Sequence, residues 1–360
     1  MTSIPAASDS TSRHQFADAI QDRADEIATL VTDRQFAADP TLVERYGERG
    51  RRKCTEDAKR HISYLASALS QGSEALFADY VGWAKILLSK LGMSDDDLTA
   101  NLALLRNAIS ETMPEDAARA AAQVIDRGLE RLPALPATGS SFLAAGIPRE
   151  KLARDYLRLL LAGNRHAASV LILDAVRNGM SIRDVYIDVF QRTQYEIGRL
   201  WQVNEISVAQ EHFCTAATQM IMSQLYSQIF ATARANRRLV AACVGGDLHE
   251  IGVRMVADFF EMEGWDTFYL GANTPLPGIL QAVAEHEPHV VAISATMSYH
   301  VGEVAEVIRS LRAGESATPR ILVGGYPFGV DPDLWRAVGA DGCAADAPGA
   351  VTLAAQLVAA

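Results

Sequence analysis

The sequence predicts a multidomain protein of α and α/β class: a helical N-terminal domain, a four-helix bundle, and a parallel sheet wrapped by helices. Three observations carry this. Apolar residues recur at helical spacing over 11–131 and again over 149–233. Between them lies Pro133-Ala134-Leu135-Pro136-Ala137-Thr138-Gly139-Ser140-Ser141, a composition that cannot continue a helix. Beyond Arg238, short apolar runs alternate with helix-length segments. A chain of 360 residues accommodates two or three such domains. The divisions expected are 1–132 for the helical domain, 133–148 for the linker, 149–236 for the bundle and 237–360 for the α/β part.

In the first part, Ser73 is placed to cap a helix carrying Leu76, Phe77, Tyr80, Val81, Ala84, Leu87, Leu88 and Leu91. Gly92 suits its end, because glycine accepts the left-handed backbone just past a helix. Ser94 caps the next helix, with Asp95, Asp96 and Asp97 where the helix dipole favours carboxylates. Met113-Pro114 breaks the pattern again. In the bundle the clearest stripe is Phe213, Ala217, Ile221, Leu225 and Ile229. The expected strands are Leu239–Val244, Thr267–Leu270, Val290–Ser294 and Ile321–Val323, with a fifth near Cys343. Their alternation with helices predicts a flavodoxin-like parallel sheet, whose ligands bind beyond the carboxyl ends of the strands.

Composition narrows the function classes. Apolar residues make up 49% and charged residues 21%, a globular mix. No run approaches the roughly 18 uninterrupted apolar residues of a membrane span. The first ten residues lack the basic and apolar regions of a signal peptide. Cys54, Cys214, Cys243 and Cys343 form no CxxC, which fits reduced thiols in a cytoplasm. A net charge of −11 lacks the basic footprint of a nucleic-acid binder.

The first strand runs into Asp247-Leu248-His249-Glu250-Ile251-Gly252. Forty-one residues separate Gly252 from Ser294-Ala295-Thr296, and twenty-seven separate Thr296 from Gly324-Gly325. All three motifs fall at strand ends. This arrangement resembles the cobalamin-binding domain of methionine synthase and cobalamin-dependent mutases, with Thr296 where that family usually has leucine. The resemblance spans about 237–360 and implies that His249 is the lower axial ligand of cobalt. It also implies that Asp247 accepts a hydrogen bond from the far ring nitrogen and that Ser294 completes the relay. Gly252, Gly324 and Gly325 let the nucleotide tail pass close to the backbone. Gly245 and Gly271 read as ordinary turns. A mutase would need a barrel of about 250 residues, which the helical half cannot supply.

The bundle carries Trp201, nine residues, then Glu211-His212. This pattern is similar to the signature of light-responsive cobalamin photoreceptors, where it lines the pocket of the 5′-deoxyadenosyl group. The resemblance implies that Trp201 stacks over that group, with Glu211 and His212 at its edge. On residues alone, His212 shares a stripe with Val208, Ala216 and Met220 and reads equally as a core histidine. Gln202 stands where the DNA-binding members have a histidine that ligates cobalt after photolysis. Either His212 or water is left for that position.

Those regulators begin with a winged helix, and this chain does not. It looks more like the photocobilins, which join a globin-like, biliverdin-binding helical domain to a photoactive cobalamin domain. Biliverdin carries two propionates and needs cationic partners. Arg49, Arg51, Arg52, Lys53, Lys59 and Arg60 form a basic cluster, and Cys54, Asp57 and His61 share one helix face. Two readings stay open there: a bilin site built on Arg51, Arg52, Asp57 and His61, or a solvated basic helix start with a surface histidine. The expectation is a cytoplasmic light sensor, not an enzyme, binding adenosylcobalamin and a bilin. It would signal through light-dependent assembly of a homo-oligomer, expected to be a dimer, or through an effector enzyme in trans. Direct DNA binding and membrane association are not expected. The alternative is a corrinoid carrier of methyl groups for a methyltransferase system.

Overall fold

A computed structural model of the chain describes residues 10–231, 233–314 and 319–359. The nine N-terminal residues, on which the reading of a missing leader largely rests, lie outside these. By internal contacts the chain divides into two units that do not follow sequence order. One holds the residues through Ala137 together with Ala295–Glu306 and Tyr326–Gly339; the other holds Thr138–Ser294, Val307–Gly325 and Ala340–Ala360.

The first unit is built on α1 (Ser10–Asp22), α2 (Ala24–Ala38), α3 (Thr41–Gln71), α4 (Glu74–Lys90), α5 (Asp95–Thr112) and α6 (Glu115–Arg131). Ile20, Ile27, Val31, Ile62, Leu65, Phe77, Val81, Leu102, Leu105 and Ile125 form its core. Ser94 caps α5 as expected. Its hydroxyl accepts the Asp97 backbone N–H at 3.2 Å, while Asp97 accepts the Ser94 N–H at 2.7 Å. That second bond holds the Asp97 carboxyl below the ordinary carboxylate range. Gly92 follows α4 at φ 80°. Ser73 departs from expectation. It stands at the head of α4 in extended conformation but makes no capping bond. Its hydroxyl donates to Asp331 Oδ2 at 2.6 Å, a charge-assisted bond that fixes the side chain toward that carboxylate rather than over the first turn of the helix. Two more bonds join distant segments within this unit: Ser67 Oγ to the Ser298 carbonyl at 2.5 Å and Tyr326 OH to Asp79 Oδ1 at 2.9 Å.

In the second unit the bundle consists of α7 (Glu150–Leu161), α8 (Arg165–Arg177), a continuous run and α11 (Val208–Leu225). That run is α9 (Ile182–Asp184), a π-helical stretch over Val185–Gln191, and α10 (Arg192–Gln202). Ala217, Ile221, Leu225 and Ile229 are buried as the stripe predicts, and Phe213 is half-buried. Tyr186, in the π-helical stretch, donates to Asp258 Oδ2 at 2.7 Å. Burial pushes that carboxyl up to about 6.

The sheet contains β1 (Arg238–Val244), β2 (Asp266–Thr274), β3 (Val290–Ser294), β4 (Arg320–Gly324) and β5 (Gly342–Cys343). The order β2-β1-β3-β4-β5, all parallel, is the doubly wound order expected. The connecting helices are α12 (Ile251–Met262), α13 (Leu276–His286), α14 (Val301–Ala313), α15 (Tyr326–Val330), α16 (Leu334–Ala337) and α17 (Ala347–Ala359). Met255 and Phe259 of α12 and Ala347 of α17 join the buried core of the bundle, so bundle and sheet layer share one apolar interior.

Candidate cobalamin site

Chain order reverses between β1 and β3, which opens a crevice at the carboxyl ends of these strands. Register brings the motif ends into one row there: Cys243 lies opposite Ser294, and Ser294 opposite Gly324. Asp247 follows β1 and is fully buried, while the His249 ring beside it is more than half exposed. Asp247 Oδ1 accepts the His249 backbone N–H at 2.9 Å and lies 2.8 Å from His249 Nδ1. One carboxylate thus orients both the backbone and the ring of His249. With Nδ1 engaged, Nε2 is the ring atom turned to a metal. The Asp247 hydrogen bond raises the His249 pKa, with a smaller push from Glu211. Glu211 therefore lies within electrostatic range of the ring.

The surroundings fit a corrinoid. Trp201 ends α10 and Glu211-His212 opens α11, so the Val203–Ser207 turn brings them to one end of the bundle. His212 Nδ1 lies 2.5 Å from Glu211 Oε2, and Thr215 donates to Glu211 Oε1 at 2.7 Å. His212, Val208, Ala216 and Met220 are all exposed, which excludes the reading of His212 as a core histidine. Trp201 and Leu248 are exposed as well. These side chains leave aromatic and apolar surface available to a ligand. A Cβ at Gly252 would meet nothing within 4 Å, and Gly325 holds φ 105°. Gly252 thus leaves backbone open to a close-lying ligand, and Gly325 adopts a backbone conformation that favours glycine. Thr296 lies two residues beyond β3.

The residues marked for a bilin are not brought together as one exposed face. Arg51 pairs with Asp33 and lies over the Phe36 ring. Asp57 is exposed and holds Arg60 at 3.1 Å, and Arg52 is exposed. His61 is buried, with Tyr80 OH 2.7 Å from its Nδ1. Burial drives its pKa down to about 4, so the surface-histidine reading is corrected too. Beside it lies an aromatic stack: Tyr64 on Tyr80 at 3.8 Å between ring centroids, Trp83 beyond, and Tyr299 edge-on to Tyr64. Helical periodicity marked Tyr80 only as core and gave no sign of this stack. Sequence reasoning also passed over Asn273. Its side chain accepts the Gly246 N–H at 2.7 Å and its own N–H donates to the Asp247 carbonyl at 2.8 Å, bracing the turn.

Comparison with known proteins agrees with this geometry. Residues 237–355 match the B12 binding domain family, residues 152–226 match a second B12 binding domain family, and residues 4–132 match the phycobilisome protein family. The HTH-type transcriptional repressor CarA of Myxococcus xanthus is 31% identical over 120 residues, 33% of this chain and 41% of that protein. Dimethylamine corrinoid protein 2 of Methanosarcina mazei is 29% identical over 122 residues, covering 33% of this chain and 56% of its own length. The chain thus spans about half the length of these relatives. The monomethylamine corrinoid protein of Methanosarcina barkeri shares the fold at TM-score 0.52 and 19% identity, over 58% of this chain and all of that one. No described helix is long and apolar enough to cross a membrane. With motif spacing, strand register and two family matches in agreement, the chain is a cobalamin-binding protein.

Proposed function

We propose that this protein is a light sensor that uses adenosylcobalamin, with a bilin as second chromophore, and that it is not itself an enzyme. The observation that carries the reading is the grouping of Trp201, Glu211 and His212 at one end of the bundle, with Trp201 and His212 exposed and Glu211 close enough to the His249 ring to raise its pKa. When bound, adenosylcobalamin supplies a Co–C bond that light cleaves. His249 would hold the cobalt, with Asp247 fixing the tautomer of its ring. Trp201 gives an aromatic surface to an adenosyl group. Glu211 and His212 offer polar contacts at its edge. Gln202 provides no imidazole, so His212 would be the imidazole this end of the bundle offers to a cobalt ion.

The phycobilisome family match over residues 4–132 supports a bilin in the helical domain. The Tyr64–Tyr80–Trp83 stack offers flat aromatic surface, and the exposed Arg52 and Lys53 offer charge for propionates. A cytoplasmic protein signalling through light-dependent dimerisation or through an effector in trans completes the proposal. The test is the absorption spectrum of protein reconstituted with adenosylcobalamin, before and after green light. Conversion to a stable new cobalamin spectrum supports the sensor, and a spectrum indistinguishable from free adenosylcobalamin in its photolysis overturns it.

A second reading, a methyl carrier, draws on the likeness to dimethylamine corrinoid protein 2. It predicts a methylcobalamin form that gives up its methyl group in the dark.

A further inference from the structure

The carboxylate of Glu250, the residue after His249, is a meeting point of three elements. Its Oε1 accepts from Gln219 Nε2 of α11 at 2.6 Å. Its Oε2 accepts from Tyr269 OH at 2.6 Å and from the Ala272 backbone N–H at 3.1 Å, both on β2. The backbone is shaped to allow this. Gly271 holds φ 86°, and a Cβ there would lie 3.3 Å from Glu250 Oε2. The β1–β2 register slips at the same point, between Ala241 and Ala242. The Glu250 carbonyl then accepts the Arg254 N–H at 2.9 Å, so the same residue starts α12. Hydrogen bonds to an ionised acceptor are among the stronger ones in proteins. Three on one side chain pin its position.

We infer that Glu250 is a positioning residue for the cobalt-binding imidazole, tying the turn that presents His249 to the cap helix through Gln219. The inference rests on His249 as the lower ligand. Asp247 sets the rotation of the ring, and its second bond sets the His249 amide. Neither fixes the turn relative to α11. The Glu250–Gln219 bond does that, so the height of the imidazole and the seat of the cap are set by one carboxylate. An ordinary helix-starting residue would need none of these three bonds.

The test is hydroxocobalamin binding by the full chain, with imidazole ligation read from nitrogen superhyperfine splitting in the electron paramagnetic resonance of the reduced Co(II) form. Glu250→Ala is expected to weaken binding about ten-fold, the scale for groups that orient a metal ligand, and to lower the imidazole-ligated fraction. Gln219→Ala, remote from the turn in sequence, is expected to lower that fraction as well, with ligand-free melting close to wild type. Glu250→Gln, which keeps an acceptor for Tyr269 and Ala272, is expected to fall between Glu250→Ala and wild type. Wild-type affinity and full ligation in both alanine variants overturn the proposal. If Glu250→Ala does not fold, unchanged ligation in Gln219→Ala overturns it alone. A wild-type protein that binds cobalamin without imidazole ligation overturns the assignment of His249, and this inference with it.

Discussion

One oxygen of Asp247, Oδ1, lies 2.9 Å from the backbone nitrogen of His249 and 2.8 Å from its ring Nδ1. The carboxylate is fully buried, so it cannot exchange these partners for water. Asp247→Asn is therefore expected to weaken cobalamin binding by roughly 10- to 100-fold. His249→Ala should leave bound cobalamin without imidazole ligation. Titration of both variants, followed by absorption, checks this. The raised His249 pKa also fixes a pH trend for the ligand-free protein. Its stabilisation by the charged pair is full below the ordinary histidine pKa and is lost as pH rises through the raised one. Thermal melts of wild type and Asp247→Asn should therefore converge at alkaline pH.

Trp201 is 42% exposed in the ligand-free fold, so part of its large ring is packed and part is open to a ligand. Trp201→Ala is expected to lower ligand-free stability by roughly 1–3 kcal/mol. The same variant should lose much of the preference for adenosylcobalamin over methylcobalamin and alter the response to light. Paired binding curves for the two cobalamins measure it. Dark transfer of a methyl group from wild type to a thiol or folate acceptor would decide for the carrier instead.

Coexpression with a source of biliverdin should give protein with a red absorption band that stays with the chain through gel filtration. Trp83→Ala, which shortens the aromatic stack by its outer ring, is expected to weaken or shift that band while cobalamin binding persists. Wild type that never retains biliverdin would make the helical domain a dimerisation or signalling bundle.

His61 is buried as neutral imidazole, with its pKa lowered to about 4 by burial and by nearby Arg60. The unfolded chain binds a proton near pH 6.5 that the folded chain refuses until pH 4. Stability is thus full above about 6.5 and falls as pH drops toward 4, by on the order of 3 kcal/mol. His61→Gln should be less stable at neutral pH but lose less on acidification. Denaturant melts at pH 7 and pH 5 give both slopes.

The sheet was legible because buried parallel strands are written as unbroken apolar runs, and Val290–Ser294 lies where its run predicts. The turn that presents His249 was legible because Asp247 and His249 are two residues apart, and a local bond needs only local spacing. What stayed hidden depends on partners far along the chain. Ser73 has a capping position, but its hydroxyl goes to Asp331, which no window around Ser73 contains. His61 sits on a basic helix segment, yet Tyr80 covers it. Glu250 falls at a position that the Asp-x-His-x-x-Gly spacing leaves unspecified. Its partners Gln219 and Tyr269 come from another layer and another strand.

Ser67, Ser73 and Asp79 each bond to residues that sequence order assigns to the far end of the chain: Ser298, Asp331 and Tyr326. Each of the last three lies just beyond a strand-end motif, so the loops that follow Ser294-Ala295-Thr296 and Gly324-Gly325 are already grown into the helical unit. A graft that moved only the residues through Ala137 onto another corrinoid scaffold would arrive without its fastenings. Exchanging the helical unit of this protein therefore requires carrying Ala295–Glu306 and Tyr326–Gly339 along with the helices. In lineages where the helical module was exchanged, those two loops and the helices are expected to have been inherited as one piece.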